Sequence, residues 1–516
     1  ALDSLLKTEQ NTPEQRWRTN RLRALNRLAS QARNPILKSS ASGKHTMTSF
    51  APAARRALLA GACAFAALLA WPGRAQAAAP IEHFTLPSGA QVWFAASPSI
   101  PMLDVQIDFD AGSRRDPAAK AGLADATALM LTKGVRAEGR QLALDENRLG
   151  EAWADLGARF AASASGDRLS IRLRSLTDEA LLPRAVALAA REIAEPAFAP
   201  AVWARERERM SAAIAESLTR PGPVAQRAFD AAVYGGHPYG RDATPQSLAA
   251  ITVADMKALH QQALAACRAK VSLVGSITRE QAGDIAARLL ARLPQSGKNG
   301  ECAPLPAVPE VPPLKKAEQI DIPFQSAQTH VLIGQPGHKR SDPDYFALLV
   351  GNHVLGGNGF SSLLMNEVRE KRGLSYGAYS HFQPALHAGA FSIGLQTRPD
   401  QAAQAVQVAR QVLQAFVRQG PTEAQLKAAK DNLIGGFALR MDSNASLLAQ
   451  VSNIAWNGLP DDYLDTWTRQ VELVSASDVK AAFARVLQPE RMVTVIVGPK
   501  TKAADTADAA RAAPAH

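Results

Sequence analysis

Apolar residues along this chain follow two different spacings. At residues 105–109 and 331–333 they alternate with polar ones, as in strands with one buried face. At residues 179–193 and 402–416 they recur every three or four positions, which predicts amphipathic helices. The two patterns do not follow each other in regular β-α order. The sequence therefore predicts an α+β fold, in which mostly antiparallel sheets are covered by helices.

Several local patterns occur twice, with a nearly constant separation of about 223 residues. Such a long period indicates duplicated domains and not a solenoid, whose repeats span roughly 20–50 residues. We expect two homologous domains at 80–293 and 319–499, joined by a proline-rich linker at 294–318. The paired markers are Gly112 to Pro117 with Gly337 to Pro343, Leu169 to Ile171 with Phe391 to Ile393, Thr252 to Asp255 with Ser475 to Asp478, and Val274-Gly275 with Val497-Gly498.

The positive charge of the chain is concentrated at its N-terminus. The formal net charge is +11, but residues 1–77 hold 12 Lys and Arg against 3 Asp and Glu. The remaining residues hold 46 basic against 44 acidic side chains and are nearly neutral. A basic face for nucleic acid therefore has no support in the predicted domains.

Part of this basic N-terminal segment has the pattern of a secretory signal peptide. Met47 begins a short basic stretch, an apolar run follows, and Ala75-Gln76-Ala77 is a small-x-small cleavage pattern. We expect a signal peptide at 47–77 and a periplasmic location; an N-terminal membrane anchor is the alternative. We predict no fold for residues 1–46, and we expect the tail at 500–516 to be disordered. In an oxidising compartment Cys267 and Cys302 form either a disulfide or two inert thiols.

A helix at residues 123–131 has the context of a metal site without the ligands. It begins Gly122-Leu123-Ala124 and continues with Asp125, Ala128 and Leu129. The segment resembles the site segment of the M16 (pitrilysin/insulinase) metallopeptidases, in which Gly-Leu-Ala precedes His-x-x-Glu-His. Asp125, Ala128 and Leu129 occupy the His, Glu and His positions. Two imidazoles one helical turn apart can bind Zn²⁺, and a nearby carboxylate can activate the water on the metal. Asp125, Ala128 and Leu129 offer no imidazole and cannot form such a site.

The resemblance also implies a third ligand, a glutamate some 75–80 residues further on. Counting back from Glu216 places Arg209 at that position, although Glu206 and Glu208 lie nearby and leave the alignment open. A lone carboxylate does not hold zinc. The histidines His237, His381 and His387 have no ligand-like spacing and do not replace the missing pair. We therefore expect this chain to bind no metal.

The second half carries a motif that is intact. Arg369 and Tyr376 lie in the run Arg-Glu-Lys-Arg-Gly-Leu-Ser-Tyr, which matches the substrate-binding Arg/Tyr motif of M16 proteins. A helix at 363–372 and a strand at 374–381 would direct both side chains to one cleft. The preceding glycines are candidates for substrate contact: Gly356, Gly357 and Gly359. A surface arginine beside a half-buried tyrosine is the purely structural interpretation.

The resemblance implies a division of labour between two chains. The pattern of motifs resembles that of some bacterial M16 enzymes that are heterodimers. In these, one subunit brings zinc and the other brings the Arg/Tyr pair. The sequence thus favours a non-catalytic, substrate-binding subunit whose partner carries His-x-x-Glu-His and the zinc. The alternatives are an independently active peptidase, and a structural or peptide-binding protein with no part in proteolysis.

Overall fold

A computed structural model of the chain describes residues 80–294, 302–357 and 359–500, and only the backbone of Phe360. The expected N-terminal extension, the signal peptide and the tail at 501–516 lie outside the described residues. Within the described part, none of the helices has both the length and the apolar content that a membrane span requires.

The first domain is built on a mixed sheet with helices on its faces. In the described part of the chain this sheet has six strands in the order β1-β2-β6-β3-β5-β4, with β2 and β6 parallel and the other neighbours antiparallel. The strands are β1 Ile81–Thr85, β2 Gln91–Ala96, β3 Met102–Phe109, β4 Arg159–Ala164, β5 Leu169–Leu176 and β6 Lys270–Gly275. The helices are α1 Leu123–Leu131, α2 Glu146–Asp155, α3 Leu182–Ala194, α4 Pro200–Ser217, α5 Pro221–Tyr234, α6 Pro245–Ala249, α7 Val253–Ala263 and α8 Arg279–Leu290.

The second domain repeats this topology, except that its described residues include no strand equivalent to β1. Its described strands run in the order β7-β11-β8-β10-β9, with β7 and β11 parallel. They are β7 Glu318–Pro323, β8 Thr329–Pro336, β9 Ser375–Phe382, β10 Ala390–Thr397 and β11 Val493–Gly498. The helices are α9 Tyr345–Asn352, α10 Ala402–Gln419, α11 Glu423–Gly435, α12 Asn444–Asn457, α13 Tyr463–Leu473 and α14 Ala476–Val486. The α+β fold class with two homologous domains is confirmed.

Each domain lends one helix to the other domain's sheet. Helix α5 of the first half packs on β8 and β11, and α12 of the second half packs on β6, β3 and β2. The two helices begin and end 223 residues apart, the separation that the repeated sequence markers gave. Phe229 of α5 lies so close to β8 that a Cβ on Gly334 would come within 2.7 Å of its ring. The duplication is therefore interlocked in three dimensions.

Helix starts follow local sequence signals. The Thr252 and Asp255 side chains form a capping box at the start of α7, and Ser475 and Asp478 form the equivalent box at α14. Both were predicted from spacing alone. The helix predicted at 179–193 begins later, at Leu182, because the Asp178 carboxylate accepts hydrogen bonds from the backbone of residues 180 and 181 and holds that turn outside the helix.

The segment between the domains is extended and covalently anchored. Residues 302–317 contain no helix or strand. Cys302 forms a disulfide with Cys267, which precedes β6, and their Cα atoms lie 5.8 Å apart. The disulfide is thus the state adopted, of the two that the sequence left open. Arg115 Nη1 donates to the carbonyl of Pro306 at 2.9 Å, so the segment also lies against the first domain.

Glu192 is a buried acid whose ionisation opposes folding. Trp153 Nε1 donates to its carboxylate at 2.8 Å, and burial raises the pKa of Glu192 to about 8. A glutamate in the unfolded chain titrates near ~4.3, so between that value and about 8 the folded state retains a proton that the unfolded state has lost. The free energy of unfolding contributed by this group therefore falls as pH rises through that window.

We predict that Glu192→Gln flattens this decline, because the amide keeps an acceptor for Trp153 and cannot ionise. Urea unfolding should show the variant more stable than the native chain by on the order of 1–3 kcal/mol at about pH 9, with little difference at about pH 5. The exposed Glu208→Gln serves as the control and should leave the decline unchanged. An equal pH dependence of native chain and Glu192→Gln would contradict the assignment.

Candidate functional site

Helix α1 carries the three positions at which the resemblance implies ligands. It begins at Gly122, whose φ of +97° suits a residue without a side chain. The buried Asp116 carboxylate accepts from the backbone N–H groups of Gly122 and Ala124 at 2.9 and 3.0 Å. Burial is the main reason that the pKa of Asp116 rises to about 7. The start of the helix is thus held by a side chain outside it.

The three ligand positions are chemically unsuited to zinc. Asp125 is exposed on the helix surface, and Ala128 is buried with 1 % of its surface exposed. Leu129 is half-buried. Across the described residues, no group of three or more His, Cys, Asp or Glu side chains is arranged to hold a metal ion. The donor set does not fit zinc.

The structure decides which residue of α4 faces the degenerate helix. Glu206 is buried at 3 % exposure, and its Oε1 lies 3.6 Å from Lys133 Nζ, one turn beyond Leu129. Arg209, placed at the ligand position by counting, has a side chain that is 64 % exposed and pairs with Glu206 at 2.5 Å. Of the three residues that the sequence left open, Glu206 has a buried side chain, whereas Glu208 and Arg209 are exposed. A count of residues does not fix which face of α4 is turned inward.

Protein cations neutralise the Glu206 carboxylate. Arg205 Nη2 donates to Oε1 at 2.7 Å, and Lys133 is itself paired with Glu146. Burial alone would raise the pKa of Glu206, but the Arg205 hydrogen bond and the Lys133 charge outweigh it and hold the pKa below its usual range. The carboxylate is therefore ionised, and its charge is neutralised by arginine and lysine. In a metal-binding protein the metal ion would neutralise it.

The glycine segment before the Arg/Tyr motif is more tightly packed than expected. Helix α9 continues as a π-helical turn at His353–Gly357, and its last residues lie against β9. A Cβ on Gly356 would come within 2.4 Å of the Ser380 backbone nitrogen. Gly356 is buried, so the expectation that it contacts substrate is corrected to a packing role. Gly357 is exposed, and Gly359 has a φ of +39° with open space around it.

The outer edge of β9 is covered by this segment. Asn352 Nδ2 donates to the Ser380 carbonyl at 3.1 Å, and the Ala378 N–H points to Met365 Sδ at 3.3 Å. The helix predicted at 363–372 exists but is π-helical over Met365–Glu370, which the apolar spacing did not indicate. A side chain and a wide helical turn thus satisfy edge groups that would otherwise be open to another strand.

Arg369 and Tyr376 come together as predicted from the motif. The guanidinium carbon of Arg369 lies 4.9 Å from the centre of the Tyr376 ring, within the range of a cation–π interaction. Between them Gly373 adopts a φ of +60°, which lets the chain reverse from the helix into β9. The Tyr376 side chain is 78 % exposed. Its hydroxyl is therefore presented to solvent while its ring is held by the arginine.

A cavity of about 450 Å³ lies beside Tyr376, between the second sheet and the start of α5. Its walls are uncharged apart from the histidines, and burial lowers the pKa of His330 there. The lining side chains that offer hydrogen bonds are Gln226, His330, Tyr376, Tyr379, His381, Gln383, Ser392 and Gln396. The site thus suits a neutral, hydrogen-bonding chain such as a peptide backbone.

Two of the histidines without ligand-like spacing meet in space. The rings of His237 and His387 lie 5.5 Å apart, beside the segment that joins the domains. His237 Nε2 contacts the Pro309 carbonyl at 3.0 Å, and its Nδ1 accepts from the Tyr239 N–H at 3.1 Å. Both nitrogens of His237 are thus engaged by backbone, so this pair is a structural junction and not a metal site. No local pattern in the sequence signalled it.

Comparison with known proteins agrees with the geometry. Residues 91–244 match the family described as insulinase (peptidase family M16), and residues 250–433 match the peptidase M16 inactive domain. The crystal structure of a peptidase M16 inactive domain from Pseudomonas fluorescens is 34% identical in sequence with a TM-score of 0.76, and the match covers 82% of this chain and 98% of that one. The chain belongs to the M16 peptidase family.

Relatives within the M16 family carry different names. An uncharacterized zinc protease of Mycobacterium tuberculosis is 28% identical over 439 residues, which cover 83% of this chain and 95% of the relative. A non-peptidase homolog from Helicobacter pylori is 29% identical over 192 residues, 36% of this chain and 43% of that protein. The resemblance inferred from the motifs is confirmed at the level of the family.

We predict that Gly356→Ala destabilises the protein, because neither the π-helical turn nor β9 can move away from the added Cβ without losing hydrogen bonds. Overpacking of this kind costs about 1–3 kcal/mol in the free energy of unfolding. Gly435→Ala, at a helical glycine with open space around it, is the matched control and should be neutral or slightly stabilising. Equal stability of the two variants would show that Gly356 is not a packing residue.

We further predict that the isolated chain retains no zinc. Asp125, Ala128 and Leu129 lack both imidazoles and the motif carboxylate, and Glu206 is already neutralised by its own neighbours. The chain is purified in zinc-containing buffer and then desalted to remove unbound metal. Metal analysis of the desalted protein measures the zinc that it retains. One tightly held zinc per chain would refute the reading of α1 as a degenerate site.

Proposed function

We propose that this chain is the non-catalytic, substrate-binding subunit of a heteromeric M16-type zinc metallopeptidase. Its partner carries His-x-x-Glu-His and the zinc, and this chain supplies Arg369 and Tyr376 to that site. The observation that carries the proposal is the exposed Tyr376 hydroxyl, held by Arg369 at the mouth of a polar cavity, in a chain whose own ligand positions are Asp, Ala and Leu.

The two side chains suit complementary tasks on a peptide. A guanidinium donates charge-assisted hydrogen bonds to carbonyl oxygens and so holds the substrate in the ground state. A phenol hydroxyl donates to the oxygen that becomes negative during attack on the amide, and its contribution is greatest in the transition state. The cation–π contact orients the tyrosine ring before substrate arrives, which reduces the entropy lost on binding.

The proposed location is the periplasm, after removal of residues through Ala77. Support comes from the pattern of the leader and from the Cys267–Cys302 disulfide, since such bonds persist in oxidising compartments. The near-neutral balance of the remaining residues also agrees with a protein that works on peptides in solution and not on nucleic acid.

The rival function is a structural or peptide-binding role without proteolysis. The name of the Helicobacter pylori relative, a non-peptidase homolog, is compatible with both. An independently active peptidase is disfavoured, because the residues at the ligand positions do not fit zinc. The substrate-binding and the non-proteolytic proposals differ in whether Arg369 and Tyr376 contribute to peptide cleavage by an assembled, active complex.

We predict that Tyr376→Phe lowers turnover by the reconstituted heteromer about a hundredfold, which corresponds to about 3 kcal/mol of lost transition-state stabilisation. Arg369→Ala should weaken peptide binding as well, since a cationic donor acts in the ground state too. The measurement is steady-state peptidase kinetics of the complex captured with the tagged full chain, with assembly checked by size-exclusion chromatography.

Tyr345→Phe is the matched control, since it removes a phenol hydroxyl from α9 outside the cavity lining. It should leave both turnover and assembly unchanged. The proposal fails if properly assembled Tyr376→Phe and Arg369→Ala complexes keep native kinetics, or if no partner with His-x-x-Glu-His is captured. Either result would favour the non-proteolytic role.

A further inference from the structure

The first domain has its own counterpart of the Tyr376 cavity. This second pocket of about 220 Å³ lies between the first sheet and the start of α12. Its helical wall consists of Ala445, Leu448 and Ala449, which follow the α5 residues of the Tyr376 cavity by 223 positions. The strands that complete it are β3, β4 and β5, the equivalents of β8, β9 and β10. We call it the arginine pocket, after the three arginines that line it.

Those arginines share one face of the sheet. Arg159 on β4 lies directly opposite Arg174 on β5, and Arg172 follows two residues earlier on the same strand. Like charges directly opposite each other destabilise a sheet, and the nearby Asp104 offsets part of this repulsion at Arg174. Arg159 has no acidic partner within the part of the chain that the structure describes. The equivalent strands around the Tyr376 cavity carry no such cluster.

Asp104 provides a second feature of the pocket. Its Oδ1 lies 3.6 Å from Arg174 Nη1, while its Oδ2 is buried without a hydrogen-bond partner among the described residues. Burial raises the pKa of Asp104 against the opposing charge of Arg174. A buried carboxylate oxygen with no donor costs free energy, and the residue that carries it is one of those that line the pocket. Among the described lining residues Asp104 is the sole carboxylate, against three guanidinium groups.

The pocket thus offers anion-binding donors, one unsatisfied acceptor and an apolar wall. Arg172 Nε donates to Gln106 Oε1 at 2.9 Å, which fixes this guanidinium over the sheet. Leu448 is buried at the back, with Ala445 and Ala449 exposed beside it. A peptide C-terminus presents this combination in reverse: a carboxylate, the amide N–H of the same residue, and a side chain on the Cα between them.

We propose that the arginine pocket binds the C-terminal carboxylate of a peptide. Arg159 and Arg172 donate to the carboxylate, the Asp104 carboxylate turns to accept from the last amide N–H, and the α12 wall contacts a small terminal side chain. The site lies in the first domain and does not include Arg369 or Tyr376. It adds recognition of a free chain end to the proposed peptide binding, and it operates in the isolated chain without partner or metal.

Binding of matched peptides to the isolated full chain tests this site. The probes are one sequence ending in alanine, prepared with a free carboxylate, with a C-terminal amide, and with the last amide nitrogen methylated. Isothermal titration should show the free acid binding at least about tenfold tighter than the amide, as expected for a charge-assisted pair. Methylation should weaken binding about fivefold, because the hydrogen bond to Asp104 is lost.

Variants assign the effect to the pocket. Arg159→Gln combined with Arg172→Gln should bring the affinity for the acid down to that for the amide. Arg159→Gln alone, at an exposed position of the edge strand, should cause part of this loss and should fold even where the double variant does not. Arg148→Gln, at an exposed arginine on α2, changes the net charge by the same amount as Arg159→Gln alone and should preserve the preference.

Three outcomes overturn the assignment. Equal affinity of the native chain for acid and amide shows that no carboxylate is recognised. A preference that survives both arginine changes places recognition elsewhere. Unchanged affinity after methylation means that the pocket takes a bare anion and not a peptide end. None of these depends on peptidase activity, so the proposed function and this site fail separately.

Discussion

The fold depends on the exchange of α5 and α12 between the two domains. Each sheet has its own helices on one face, and its other face is covered by a helix from the opposite half of the chain. The contact of α5 is apolar, with Phe229 and Val233 packed against valines of β11. Neither sheet can bury its second face alone, so the halves are expected to fold as one cooperative unit. Gly334 permits this contact because any larger residue would collide with Phe229.

The contact of α12 with the first sheet is partly polar. Trp93 and Val274 join the apolar cluster of the second domain near β2 and β6. Lys270 Nζ donates to the carbonyls of Ala455 and Trp456 at 2.8 and 3.2 Å, which places a positive charge at the C-terminal end of α12. Towards β4 the apolar contact ends, and the exchanged helix stands away from a charged surface.

At the positions that the family resemblance assigns to metal ligands, this chain keeps the fold with other residues. Removing a Zn²⁺ from among carboxylates would leave negative charges close together in a buried place, which is costly. In this chain one motif carboxylate is absent at Ala128, and Glu206 is balanced by Lys133 and Arg205. The buried surface of α1 then packs as ordinary core, with Met130 fully covered. The Glu206 carboxylate is thus balanced by neighbouring cations, and apolar side chains fill the buried face of α1.

Local signals in the sequence predicted local structure well. The bounds of α1, the capping boxes of α7 and α14, and the reversal at Gly373 all depend on residues within a few positions of each other. The duplicated topology followed from comparing distant markers. What sequence missed was nonlocal: which face of α4 turns Glu206 inward, which helix covers which sheet, and the meeting of His237 with His387. Each is fixed by packing between segments far apart, which no spacing rule encodes.

The pseudo-symmetry of the fold explains why two cavities exist and why they differ. In each domain the cavity lies at the start of the exchanged helix, between that helix and the sheet that it covers. The gap beside α5 is lined by tyrosines, glutamines and histidines, and the one beside α12 by arginines and an aspartate. Because geometry supplies the space in both, side-chain chemistry alone decides what each admits. A neutral cavity suits the interior of a peptide chain, whereas a cationic one suits its charged end, so the two proposed peptide contacts follow from different side chains on a single duplicated architecture.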